Sequence, residues 1–338
     1  MNLPARRARL FLLTILALLA TALICAVTVN AYVDPLWLAP HLGERSSIRY
    51  CVDDERQNKI NKMVFGGVTA DAVLIGTSRS AFFDTRYFKR PVFNLAVNGL
   101  RPVEASEYLR IFVERVGAPK DVYLGLDFVG YIQEEGDAVW AERAKEKERT
   151  SLSPGYRLGE LLDLGTLVKS IDTVFRCSRQ STETPPTHRY NGVRDVKPRP
   201  RDPKLFEEQL QFFVRYYYGL QNPADERLRE RYMKIRQASP SSTFHAFIPP
   251  ISAELFRALI ASGRSEDYKK WIAIVTDIFG PVTQFSGVNS FTADPANFYD
   301  AHHVYPERTV EMIAILEGRR PADSDGFGRT IAAEVIFN

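Results

Sequence analysis

The sequence predicts an α/β fold, a central parallel sheet with flanking helices, carried behind a single N-terminal membrane helix and interrupted by a helical insertion. Three observations carry this reading. Short apolar runs alternate with an amphipathic helix between residues 71 and 126, the same alternation resumes after residue 240, and Leu10 to Val29 is a run of apolar and small residues without a charge. Strand, helix, strand in succession implies parallel neighbours, because parallel strands need a crossover between them.

The N-terminal run, LFLLTILALLATALICAVTV, spans roughly 30 Å as a helix, the thickness of the bilayer core. Residues 1–9 hold Arg6, Arg7 and Arg9 with no acid, which favours a cytoplasmic N-terminus and an extracytoplasmic body. A cleaved signal with a small-residue site at Val29-Asn30-Ala31 is the competing reading, and the length of the run argues for retention. Cys25, preceded by Ile24, fits an apolar position in the span better than a lipoprotein site.

Residues 30–70 read as a connecting segment with a polar helix around Asp53 to Arg56. The first part of the α/β domain, residues 71–129, follows. Asp71–Ile75, Val92–Val97 and Val122–Leu126 are the strands, and Pro102–Val116 is a helix with Ala105, Tyr108, Leu109 and Phe112 on one face. Residues 130–240 differ in kind: a charge run at Glu142–Lys147, a Pro-, Arg- and Thr-rich stretch at Ser181–Pro203, and helical patterns at Leu205–Tyr218 and Arg227–Ile235. These charges read as solvated faces, with an anionic polymer or partner protein as the alternative, and Tyr216, Tyr217 and Tyr218 read as partly packed rather than as a sugar platform. The second part of the domain occupies residues 241–338: a strand at Thr243–Ile248, helices at Glu254–Ile260 and Tyr268–Phe279, a strand at Val282–Phe285, and a last helix from Pro306 to near Gly318.

Composition narrows the function classes. The 338 residues are 45% hydrophobic and 25% charged, which excludes disordered, collagen-like and disulfide-dense chains. The net charge of +3 lies wholly in Arg6, Arg7 and Arg9, leaving 41 basic against 41 acidic residues, so nucleic acid is not an expected partner. Cys51 and Cys177 are the cysteines outside the apolar run, and the sequence leaves open whether they join.

Two motifs can carry chemistry. Gly76-Thr77-Ser78-Arg79-Ser80 follows directly on a buried strand, where a parallel sheet lines its ligand crevice. Asp300-Ala301-His302-His303 lies between the last strand and last helix. A serine hydroxyl needs a positioned base, an imidazole serves near neutral pH, and a carboxylate three residues away can orient it. The alternative is that Asp300 caps the following helix and both histidines are surface residues. Asp300, His302 and His303 also suggest a metal site, but adjacent loop histidines seldom converge on one ion, and no metal or other cofactor is expected. Gly76 and Gly99 do not form a nucleotide fingerprint. His245 reads as a hydrogen-bonded strand residue, and His41 and His188 as loop residues without a role.

The order of these motifs resembles the SGNH hydrolase family. Gly76-Thr77-Ser78 matches its first block, Asn94-Leu95-Ala96-Val97-Asn98-Gly99 its second, Gly125-Leu126-Asp127 its third and Asp300-Ala301-His302-His303 its last. With the N-terminal span, the set is most similar to membrane-anchored envelope members, such as the alginate-acetylation proteins and the teichoic acid D-alanyl transfer protein. The resemblance covers roughly residues 70–128 and 243–318. It implies a flavodoxin-like three-layer sandwich, and a serine esterase or O-acyltransferase acting on cell-envelope or exopolysaccharide hydroxyl groups. Ser78 would be nucleophile, His303 base and Asp300 orienter, with Gly99, Asn98, Asp127 and Arg79 around the oxyanion or substrate. Implied partners are an envelope polysaccharide or acyl donor, a membrane acyltransferase or a polysaccharide synthesis complex. Two departures stand out. Thr77 replaces an aspartate, and Asp127 replaces the asparagine that donates to the oxyanion, a task a carboxylate performs only when protonated. Asp127 is the main support for the rival expectation, a catalytically inactive envelope protein that binds polysaccharide or scaffolds a synthesis complex.

Overall fold

The computed structural model describes residues 3–39, 48–128, 136–179, 185–198, 201–215 and 226–332. Helix α1 (Leu3–Val33) contains one segment, Arg6–Val33, long and apolar enough to cross a membrane, and its most apolar 18-residue window has mean hydropathy 2.8. The hydroxyls of Thr14, Thr21 and Thr28 donate to the carbonyls of Leu10, Ala17 and Ile24, so these polar groups are satisfied inside the helix, as a lipid environment demands.

Helix α2 (Glu55–Phe65) is capped by the Asp54 carboxylate, which accepts from the Gln57 N–H. Its polar residues are buried because each has a partner: Asn58 donates to the Pro35 carbonyl, Asn61 to that of Leu36, and Lys59 to that of Ala96. Strand β1 (Ala72–Ile75) leads into a one-turn helix, α3 (Ser78–Ala81), followed by β2 (Val92–Asn94), α4 (Pro102–Arg115) and β3 (Asp121–Gly125). Pro102 occupies the first turn of α4, where its missing N–H costs nothing.

Three further helices, α5 (Asp137–Leu152), α6 (Tyr156–Leu162) and α7 (Leu164–Asp172), precede a small antiparallel pair, β4 (Thr187–His188) and β5 (Arg194–Asp195). Then come α8 (Pro203–Phe213) and α9 (Glu226–Ala238). Helix α9 joins the core that covers the sheet through Leu228, Tyr232 and Ile235, and the Tyr232 hydroxyl accepts from the Trp271 indole at 3.0 Å. The chain closes with β6 (Thr243–Ile248), α10 (Ala253–Ala261), α11 (Ser265–Phe279), β7 (Val282–Gln284), α12 (Ser290–Ala293), α13 (Thr309–Leu316) and β8 (Arg329–Ile331).

The main sheet runs β2-β1-β3-β6-β7-β8, with every neighbouring pair parallel except the last. Both faces are covered. Val73, Ile75, Val122 and Leu124 pack with α4, α9, α10 and α11, while Ala72, Leu74, Tyr123 and Phe247 pack with Met312 and Ile313 of α13. Near-continuous burial along each strand is what a doubly covered parallel sheet requires.

Several features differ from the sequence expectation. His188 is buried in β4, with Nε2 2.9 Å from Glu55 Oε1, because α2 brings a carboxylate to it from far along the chain. Strand β8 and the pair β4–β5 are too short to show a periodic pattern. Helices α5 to α7 are disguised by charge and by an apolar face turned outward. His245 is hydrogen-bonded as expected, 2.6 Å from Asp121 Oδ1. Cys51 and Cys177 form a disulfide. Tyr216, Tyr217, Tyr218 and His41 lie outside the described residues.

Candidate active site

The site forms where β1 ends. Ser78 opens α3, with Thr77 as its cap. The turn can press against the sheet only because the adjoining strand ends lack side chains: a Cβ on Gly76 would lie 2.5 Å from Ser80 Oγ, and one on Gly125 only 1.9 Å from it. Asn94, at the end of β2, clamps the same turn. Its amide nitrogen donates to the carbonyls of Ser80, Ala81 and Phe83 at 3.2 to 3.3 Å, and its oxygen accepts from the Ala96 N–H. An asparagine inside the apolar run Val92–Val97 was the signal for this clamp.

Asp300 and His303 reach Ser78 from the other end of the chain. Asp300 Oδ1 accepts from the backbone N–H groups of His302 and His303 at 2.9 and 2.8 Å, which folds the loop. Its second oxygen lies 2.7 Å from His303 Nδ1, and His303 Nε2 lies 2.9 Å from Ser78 Oγ. Asp300 thus folds the loop and orients His303, while the last helix, α13, begins only after Arg308 and takes no side-chain cap, so Asp300 does not cap it, and both histidines are partly buried rather than surface residues. Burial alone would raise the Asp300 pKa, but the two imidazoles and the hydrogen bonds outweigh it and hold the carboxyl well below its usual range. Burial, with His303 and Arg79 nearby, pushes the His302 pKa well down, so His302 stays neutral.

Asp127 is an acceptor in this site. The Thr77 hydroxyl donates to Oδ2, and Arg79 Nε lies 2.9 Å from Oδ1, with the carboxylate almost wholly buried. It therefore holds Thr77 and Arg79, the residues on either side of Ser78. Asn98 and Gly99 are exposed beyond β2. The Val97 N–H donates to the Gly76 carbonyl, which sets this loop beside the Ser78 turn, and the Asn98 N–H donates to Glu55 Oε2 at 3.0 Å. Gly99 has φ +60°, in the left-handed region.

Three aromatic contacts escaped the sequence reading because they join distant segments. The Phe82 ring lies 5.1 Å from the His303 ring and also stacks on Tyr299, while Phe213 of α8 packs edge-on against His302 at 4.1 Å. The 130–240 stretch thereby supplies a wall of the site. Small cavities of about 30 Å³ beside Asp300 and about 20 Å³ beside Thr77 and Asp127 each have room for a water.

Ligand atoms of Asp300, His302 and His303 fall within 4.8 Å of one another. Both His303 nitrogens already face Ser78 and Asp300, so an ion there would compete with those contacts. The arrangement can deprotonate a serine hydroxyl as it attacks an electrophilic carbon. No protein-family profile matches the chain, and no curated protein matches its sequence, so the site is characterised by its own geometry.

Proposed function

We propose that the protein is a membrane-anchored, extracytoplasmic SGNH-like serine acyl esterase or O-acyltransferase acting on cell-envelope or exopolysaccharide. The observation that carries this reading is the Ser78–His303–Asp300 hydrogen-bonded chain at the end of β1. The order of the five parallel strands, second-first-third-fourth-fifth along the main sheet, supports a flavodoxin-like sandwich of that family. The Cys51–Cys177 disulfide supports a body in an oxidising compartment, outside the cytoplasm.

In this reading Ser78 Oγ bonds to the acyl carbon as its proton passes to His303 Nε2, and Asp300 stabilises the imidazolium through Nδ1–H. The tetrahedral oxyanion is met by the backbone N–H groups of Ser78 and Gly99. As the carbon–oxygen bond to the leaving alcohol breaks, His303 returns the proton to that oxygen. Water or a sugar hydroxyl then resolves the acyl-enzyme, with His303 again as base. Transfer rather than hydrolysis would bring an envelope polysaccharide, its acyl donor and a membrane acyltransferase or synthesis complex to this face.

The test is fluorophosphonate labelling of the detergent-solubilised full chain, beside turnover of simple acyl esters. Ser78 should carry the adduct, and Ser78→Ala should lose turnover by on the order of 10⁶-fold, Asp300→Ala by about 10⁴-fold. Asp127, held as a carboxylate in an ion pair with Arg79, favours the second reading, a catalytically inactive envelope protein. Absence of both a Ser78 adduct and ester turnover would select it.

A further inference from the structure

Helix α7 is amphipathic in the sense opposite to that of a water-facing helix. The buried side of α7 and of the turn after it is polar, with Thr166, Ser170 and Thr173 almost fully enclosed. The outward side carries Leu164, Val168, Ile171 and Phe175, with Leu164 71% and Val168 64% exposed, and Leu158 and Leu162 extend it along α6. A helix beside water buries its apolar side. This one buries hydroxyls.

The place where the pair is fastened explains the inversion. Asn30, the first strongly polar side chain after the apolar run of α1, is buried: its amide donates to the carbonyls of Leu161 and Asp163 at 3.0 and 3.2 Å and accepts from the Ser170 hydroxyl at 2.9 Å. The junction of α6 and α7 is therefore locked onto α1 just after its uncharged run Leu10–Val29. A groove of about 430 Å³ lined by Phe65, Leu152, Leu158 and Arg157 adjoins the same surface. The Cys51–Cys177 disulfide ties the end of this helical pair to the segment leading into α2.

We propose that the outward face of α6 and α7 lies in the lipid surface on the side of the membrane that holds the body, as a second, in-plane membrane contact. The occupant is the bilayer because the face is continuous with the span itself. Apolar side chains there enter the acyl boundary, and Arg157 beside them reaches the phosphates. The body is then held at a fixed tilt rather than swinging on a single helix. The inference rests on the span and is independent of the chemistry of Ser78.

The test uses the full chain in nanodiscs of phosphatidylethanolamine and phosphatidylglycerol. Nitroxide is placed at Val168→Cys, Phe175→Cys and Leu164→Cys in a Cys25→Ser background, with the disulfide left oxidised and Glu266→Cys as the water-facing control. Each site replaces an exposed side chain, so the three positions guard against the loss of any one variant. Collisions with oxygen relative to those with a water-soluble nickel chelate should be several-fold higher at the three sites than at the control. Nickel accessibility equal to the control would overturn the proposal by showing water. Protection from both reagents would overturn it equally, by showing cover from a protein surface such as a second copy.

Discussion

Arg79 and Asp127 show how one residue changes the chemistry available to its neighbours. A buried carboxylate at position 127 would be costly if it stood alone, and here the Arg79 guanidinium pairs with one of its oxygens and the Thr77 hydroxyl donates to the other. Removing one partner of a buried pair leaves an uncompensated charge. Arg79→Met should destabilise the protein by about 3 kcal/mol, and adding Asp127→Asn should recover most of that loss, both read from unfolding in detergent. Equal stability of the single and double variants would refute the pairing. His302 makes a prediction about pH. Its folded pKa is depressed, so as the pH falls below about 6.5 the unfolded chain takes up a proton that the folded one does not, and stability falls. His302→Gln should therefore lose less of its unfolding midpoint between about pH 7 and about pH 5 than the parent does, and identical pH profiles would disprove it.

At the scale of elements, the site depends on α3 lying flat on the ends of β1 and β3. Gly76 and Gly125 leave the room into which Ser80 packs, and Asn94 holds the carbonyls of the turn. Gly125→Ala should cost about 1 to 3 kcal/mol by overpacking against Ser80 Oγ, with loss of fluorophosphonate labelling as Ser78 is displaced. Ser80→Ala in the same chain removes the closest atom and should restore part of both, as measured by midpoint and labelling. Helix α2 illustrates a different rule. Its sequence is polar, yet it is buried, because Asn58, Asn61 and Lys59 each meet a carbonyl from another segment. Periodicity reads burial from apolar side chains, and so could not see it.

Across the whole molecule, the connection between β3 and β6 is both a scaffold and a wall. It provides α9 to the sheet's cover, Phe213 to the surroundings of His302, and Cys177 to the disulfide. That bond closes a loop with a sequence separation of 126, so its removal should cost about 2 to 5 kcal/mol. A Cys51→Ser, Cys177→Ser variant should unfold correspondingly earlier, and an unchanged midpoint would show that packing alone holds the connection in place.

The sequence by itself determined the apolar span, the parallel strands, the helices α4, α10 and α11, and the three residues that meet as Ser78, His303 and Asp300. Each is written locally: in an uncharged run, in period-2 or period-3.6 patterns, or in a short motif beside a strand end. Only the tertiary structure decided the roles of Asp127 and His188, the burial of α2, the aromatic wall and the outward apolar face of α7. These depend on partners tens to hundreds of residues away, and a polar side chain carries no local mark of whether it will face water or a distant carbonyl or charge. The antiparallel β8 was hidden for a related reason: three residues are too few for a period, and its place on the sheet is set by pairing with β7.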